Sequence, residues 1–314
     1  MANSFINNVY LEGYLYDCKI ESKVTGPNSK SPNTKYLNGT ISIATDNDCL
    51  NVVQVHYSYV TPTFTKSGTT NRNYDILMDM MEGRYPTVTS AGREKATKLR
   101  VQSAIGLNEY YPEAQGDKPS ELVSIVRNEG GFITILNKLD EDEKARNRFE
   151  ASMVITKVIP KEADVDKEIP KHSILHGAIF DFAGTLLPVN FVVYLPKAIE
   201  FFGSQDISNK NPLFLNVVGQ QVSTTVVKKT VEDSSFGEPI VRESRSSRRE
   251  YVITNAAKAK AWDSPDTILA SDFVKKLQDR EIHLAEIKKN GEEYRAKKNA
   301  STPKVTSSTD DYNF

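Results

Sequence analysis

From residue 8 to residue 16 (NVYLEGYLY), Val9, Leu11, Gly13 and Leu15 take every second place and Tyr10, Glu12, Tyr14 and Tyr16 fill the gaps. A side-chain period of two fits a strand with one buried face and fits no helix. The pattern recurs over Tyr36–Thr45, where Leu37, Ile41 and Ile43 stand against Ser42 and Ala44. It recurs again over Leu50–Val60, with Val53, Val55, Tyr57 and Tyr59 on the expected core side and Gln54, His56 and Ser58 on the other. The loop GPNSKSPN at 26–33 and the turn Asp46-Asn47-Asp48 separate these runs. Over Tyr74–Met81 the period changes: Ile76, Leu77, Met80 and Met81 recur at helical spacing, and Gly83 stops the run. Alternation resumes over Lys98–Tyr110, Leu122–Arg127 and Phe132–Leu136.

Three strands, a short helix and two more strands are the element order of a five-stranded Greek-key barrel, the oligonucleotide-binding fold. The charged run Asp140–Arg148 (DEDEKARNR) predicts a helix-prone connector and a domain boundary. Beyond it, FEASMVITKVI at Phe149–Ile159 can be laid over the first strand of the first barrel. An apolar stretch at Ile174–Leu195, a short helix at Lys197–Phe202 and strands at Leu213–Lys229 and Glu250–Asn255 repeat the order. A mainly β chain follows: a barrel over 1–139, a second barrel of the same class over 148–262, with a sandwich-like domain as the alternative, a helix over 264–298 and a disordered tail over 299–314. Ser264-Pro265 suits the start of that helix, which carries Leu269, Phe273, Leu277, Leu284 and Ile287 and should end near Asn290-Gly291. Its apolar stripe should pack, beside Trp262, on the second barrel or on another subunit of a homo-oligomer.

At 314 residues and 39% hydrophobic, the chain can build a core for each of two domains. Forty Lys and Arg balance 41 Asp and Glu, so the placement of charge matters more than its sum. No apolar run has membrane-spanning length and the opening residues lack a signal-peptide layout, which together imply a cytoplasmic protein without a membrane partner. Cys18 and Cys49 are too few for a disulfide framework and read as small buried hydrophobes. No phosphate-cradling, zinc-protease or nucleophile-elbow motif occurs, and His56, His172, His176 and His283 are scattered. The expectation is no enzyme, no catalytic residue, no cofactor and no metal. Asp46 and Asp48, which as a pair would suit a metal-dependent nuclease, are better explained as turn residues.

The segments INNVYLEGYLYD (6–17), GTISIATDND (39–48) and LNVVQVHYSYV (50–60) resemble the opening of bacterial and phage single-stranded-DNA-binding proteins. The chain departs from that pattern in its long loop before the second strand, in Leu50 and Asn51 where an aromatic usually begins the third, and in nearly everything after about residue 115. The resemblance implies a protein that coats single-stranded DNA in replication, recombination or repair, in a bacterial or phage-infected cytoplasm. Such binding needs aromatic faces for bases and cations for phosphates. The expected contacts are Tyr14, Tyr16, Lys19, Lys35, Tyr36, His56, Phe64, Lys66, Arg72, Tyr74, Arg93, Lys95, Lys98 and Arg100. In the second domain Lys228, Lys229, Arg242, Arg245, Arg248 and Arg249 surround what reads as a loop, suited to a mobile arm over DNA or to a solvated hairpin. The same family docks replication and recombination enzymes on an acidic tip ending in Phe, which Asp310, Asp311, Tyr312 and Phe314 resemble. The competing reading is a protein-interaction or virion-structural protein built on barrels.

Overall fold

The computed structural model describes residues 5–301, apart from 28, 65–66, 114–119, 166–168, 233–235, 237–239, 261 and 265–266, and apart from the side chains of 226–232, 240–246 and 297–301. The tail and its tip lie outside the described residues.

Strands β1 (Asn7–Val24), β2 (Lys35–Ala44) and β3 (Val52–Val60) precede helices α1 (Arg72–Met81) and α2 (Val88–Ala91), then β4 (Lys98–Tyr110) and β5 (Val123–Leu136). The order of pairing is β1–β2–β3–β5–β4 and back to β1, antiparallel throughout except for parallel β3–β5. The second half repeats it with β6 (Asn147–Lys161), β7 (His172–Phe180), β8 (Leu186–Val193), α3 (Pro196–Ser204), β9 (Leu213–Glu232) and β10 (Ile240–Ala256). There the ring runs β6–β7–β8–β10–β9–β6, again with one parallel pair, β8–β10. Both halves are five-stranded Greek-key barrels with a helix between their third and fourth strands.

Alternating apolar residues fill the barrel interior, including Val9, Leu11, Leu15, Ile41, Ile43, Val53 and Val55 in the first half and Phe149, Ile155, Leu175, Val189, Phe191 and Val217 in the second. Helix α1 adds Ile76, Leu77 and Met80 from one face, and its first turn is capped by the Asn71 side chain, which accepts from Asn73 N.

The repeat holds to the level of register. The first strand of each barrel slips against the second after Leu15 in β1 and after Ile155 in β6. On that alignment Val9 corresponds to Phe149, and these two face each other where β1 and β6 pair antiparallel, flanked by Asn7↔Ala151 and Leu11↔Asn147. The barrels are thus related by a local two-fold axis through that pair. Asn7 and Asn147, equivalent under it, do the same work: Asn7 bonds both backbone groups of Ile105 at 2.9 Å, and Asn147 both backbone groups of Gln221 at 2.7 and 3.0 Å.

Several expectations need correction. Residues 122–127 and 132–136 are not separate strands; β5 runs unbroken and bulges at Gly130-Gly131. Asp140–Arg148 is not helix: it forms turns up to Arg146, where Asp140 and Asp142 side chains accept from the amides of Asp142 and Lys144 and hold the chain in tight bends, and then enters β6. The basic segment 242–249 is no loop: β10 pairs with β9 along its length, from Ile240↔Glu232 onward. The final helix, α4 (Ala270–Ser301), begins later than expected and passes through Asn290-Gly291. Phe273 packs edge-on against Trp262, at 5.5 Å between ring centroids, but Leu269 and Leu277 are exposed. Arg280 pairs with the buried Glu109, and Arg295 donates to Tyr111 O, so α4 reaches from the second barrel to the first. Cys18 and Cys49 are only half-buried, and Cys49 sits in a turn at φ +56°. No helix among the described residues is long and apolar enough to cross a membrane.

Candidate functional site

On the outer face of the first barrel, Lys19 of β1 lies level with Thr40 of β2, Thr40 with His56 of β3, and His56 with Glu129 of β5. Alternation puts Val53 and Val55 inside and so leaves His56 outside. Thr40 Oγ1 and His56 Nδ1 are 3.2 Å apart. Burial, then the nearby Arg127 cation, lower the imidazole pKa, with Glu129 opposing. The ring is therefore neutral at pH 7, a flat surface and not a cation. Arg127 is held 2.6 Å from Glu129 and 3.4 Å from Ser58 Oγ.

Toward its end β3 falls out of phase. Its register against β2 slips between Gly39↔Tyr57 and Leu37↔Val60. Tyr57 stays in the core, whereas Tyr59, expected beside it, is 47% exposed and packs on Tyr36 with ring centroids 4.7 Å apart. The bulge in β5 has a matching effect. Gly130 and Gly131 adopt φ of +62° and +116°, and a Cβ on Gly131 would strike the Gln102 carbonyl, so only glycine fits. Beyond the bulge Phe132 points outward, 67% exposed. Tyr59, Phe64 and Phe132 border a cleft of about 320 Å³, with Tyr57 in its wall. Tyr59 and Phe132 escaped the sequence reading; paired glycines inside a strand pattern were the available sign of a bulge.

Of the other expected contacts, Lys35 adjoins Tyr36 at the start of β2 and Arg72 adjoins Asn71 at the rim of the cleft, whereas the remaining described ones lie elsewhere on the barrel. Tyr14 lies opposite Lys98 across β1–β4. Arg93 and Lys95 occupy the turn just before β4, where Arg93 donates to Asn47 O at 2.6 Å and pairs with Glu94. Arg100 is not a free cation: it grips Glu12 Oε2 through two nitrogens at 2.9 and 2.7 Å, and Glu12 is 5% exposed. Glu12 is almost wholly out of water while the Arg100 side chain keeps about half its surface in it, so Arg100 serves to pair a buried carboxylate of the barrel wall. Lys98 reaches Asn137 O at 3.5 Å. Tyr74 packs against the core, while Arg72 is exposed on the first turn of α1. Tyr16 is half-buried at the β1 bulge, and Lys35 is exposed at the start of β2. Lys66, Asp310, Asp311, Tyr312 and Phe314 lie outside the described residues.

The second barrel has its own ring pair at the far end of its second and third strands, His172 and Tyr194, with centroids 5.2 Å apart. The Arg248 guanidinium sits 4.7 Å over the Tyr194 ring, and Tyr194 donates to Glu250 at 2.7 Å. Burial, then that hydrogen bond, push the Tyr194 phenol up to about 12. On another part of this barrel's surface Val154, Ala178, Phe180, Leu186 and Phe214 form an apolar patch, which Ile268 and Phe273 of the C-terminal segment cover together with Trp262 and Phe5.

Asp46 spends its carboxylate on the backbone amides of Leu50 and Asn51, at 3.0 and 2.9 Å, as a turn residue does. Among the described residues no three His, Cys, Asp or Glu side chains cluster as a metal site would require.

Strand order and the repeated register define a tandem oligonucleotide-binding-fold protein. The chain belongs to the YorF family, whose model matches residues 6–290. No curated protein matches it. Among solved structures it is similar to a deletion variant of the single-stranded DNA-binding protein from Thermus aquaticus, at 12% identity and a TM-score of 0.44, over 85% of this chain and 100% of that one.

Proposed function

We propose that this protein binds single-stranded DNA on the β2–β3 face of its first barrel, without enzymatic activity, and coats it in the cytoplasm during replication, recombination or repair. The observation that carries this reading is the pairing of half-buried Tyr36 with exposed Tyr59, beside exposed Phe64 and Phe132, on the face by which barrels of this class take oligonucleotides. Three exposed rings and a fourth packed beside them are costly for a surface in water unless something stacks on them. Lys19, Lys35 and Arg72 would stand along the path of the phosphates, and neutral His56 would add a ring surface.

Replacing Tyr36 and Tyr59 together with Ala should weaken oligo(dT) binding by roughly 2 kcal/mol or more, since stacking contributes about 1–3 kcal/mol per base. Unchanged affinity in a fluorescence titration would sink the site. Wild-type affinity should fall steeply with salt and exceed that for duplex DNA. A labelled strand should stay intact with Mg²⁺ present. The acidic tip would recruit replication and recombination enzymes; deleting 310–314 should spare DNA affinity and abolish their capture.

A further inference from the structure

The cleft between Tyr59, Phe64 and Phe132 has walls that are almost wholly apolar or already satisfied. Asn71 spends its side chain on Thr61 O, at 3.1 Å, and on Asn73 N. Asn73 spends its own on Gly131 O at 2.7 Å and Ile133 N at 3.1 Å. Thr61 donates to Thr63 O at 2.7 Å. Against these, the Tyr57 hydroxyl is buried with no hydrogen-bond partner, the one such side-chain atom among the described residues. Burial raises its pKa above the ordinary phenol value with no charge acting on it, so the group is a donor at neutral pH. A buried hydroxyl without a partner is destabilising and stays so until a ligand supplies an acceptor.

We propose that this cleft takes one unstacked nucleobase from the bound strand, and that the Tyr57 hydroxyl makes it selective for thymine. This rests on the single-strand reading above and adds base preference to it. Aromatic walls suit the flat faces of any base, and selection comes from the edges. A single hydroxyl donor can satisfy one carbonyl, while every exocyclic amino group brought into an apolar cleft would lose its water partners. Adenine, cytosine and guanine each carry such an amino group. Thymine carries none and brings only its single ring N–H as a donor, against two on every amino group, and its methyl group gains from contact with an aromatic ring.

The test is a titration of the full-length protein with oligo(dT), oligo(dU), oligo(dC) and oligo(dA), for wild type, Tyr57→Phe and Phe132→Ala. Wild type should prefer oligo(dT) over oligo(dC). Tyr57→Phe should cut that preference roughly threefold to tenfold, the worth of one hydrogen bond. It should unfold no more easily than wild type, because it discards an unsatisfied group. Phe132→Ala should weaken oligo(dT) at least about fivefold, one lost stacking wall. Equal wild-type binding of dT and dC, or a preference untouched by Tyr57→Phe, overturns the selection while leaving single-strand binding standing. Failure of every oligonucleotide to bind overturns both.

Discussion

Where the first, second and fourth strands of the second barrel meet, Val154, Ala178 and Phe214 share a row, and the registers place Tyr14, Ala44 and Lys98 at the same three places in the first. Phe180 and Leu186 extend the apolar patch in the second barrel, while the first has Asp46 and the 68% exposed Leu50. One patch is covered by Trp262, Ile268 and Phe273; the other carries no aliphatic cluster for such a segment to cover. A second row contrasts in the same way. Lys19, Thr40 and His56 cross the first barrel where Ile159, Ile174 and Val192 cross the second. Identical backbone order thus tolerates opposite surfaces, since a barrel asks only that its inward residues alternate. The first barrel keeps polar and aromatic groups outside, and the second uses equivalent positions to anchor the C-terminal segment.

The contrast can be broken most directly at Phe273. Phe273→Ala should cost about 3–5 kcal/mol in urea unfolding, whereas Leu50→Ala should stay within about 0.5 kcal/mol; equal losses would erase the distinction. Arg280→Ala strands the Glu109 carboxylate, 6% exposed, and should cost about 3 kcal/mol. A neutral result would mean that α4 serves the second barrel alone. Asn128 and Gln221, which join the barrels by reciprocal amide bonds of 2.8 and 3.0 Å, come next: Gln221→Leu should cost about 1–3 kcal/mol. The smallest effect concerns pH. His56 holds its proton less tightly folded than unfolded, so protonation below the ordinary histidine pKa favours unfolding. Stability should decline as pH falls from 7 toward 5, and His56→Gln should lessen that decline. The same variant should leave the salt slope of DNA binding unchanged, because the ring is neutral at pH 7.

Much of the backbone plan was legible. Val9, Leu11 and Leu15 announced β1, and the likeness of Phe149–Ile159 to that strand agrees with β6 opening the second barrel as β1 opens the first. Side-chain direction was legible only where a strand keeps phase. Tyr59 was assigned to the core because simple alternation carries Tyr57 and Tyr59 to one side, and a slip set by pairing with Gly39 cannot be read from β3 alone. Phe132 was missed for the same reason, as its direction depends on the bulge at Gly130-Gly131. Arg100 looked like a free cation because Glu12, its partner, lies 88 residues away in sequence. Charge pairing across strands is a property of the fold and leaves no local mark.

The antiparallel seam between β1 and β6 bears on whether either half can exist alone. Each half lends the other a neighbour for its opening ribbon, through five matched positions from Asn7↔Ala151 to Leu11↔Asn147. Severing the chain between Leu136 and Asn147 and parting the pieces would bare two rows of amides and carbonyls, a template for clumping. Neither half is thus self-sufficient: each relies on its counterpart to shield the same ribbon.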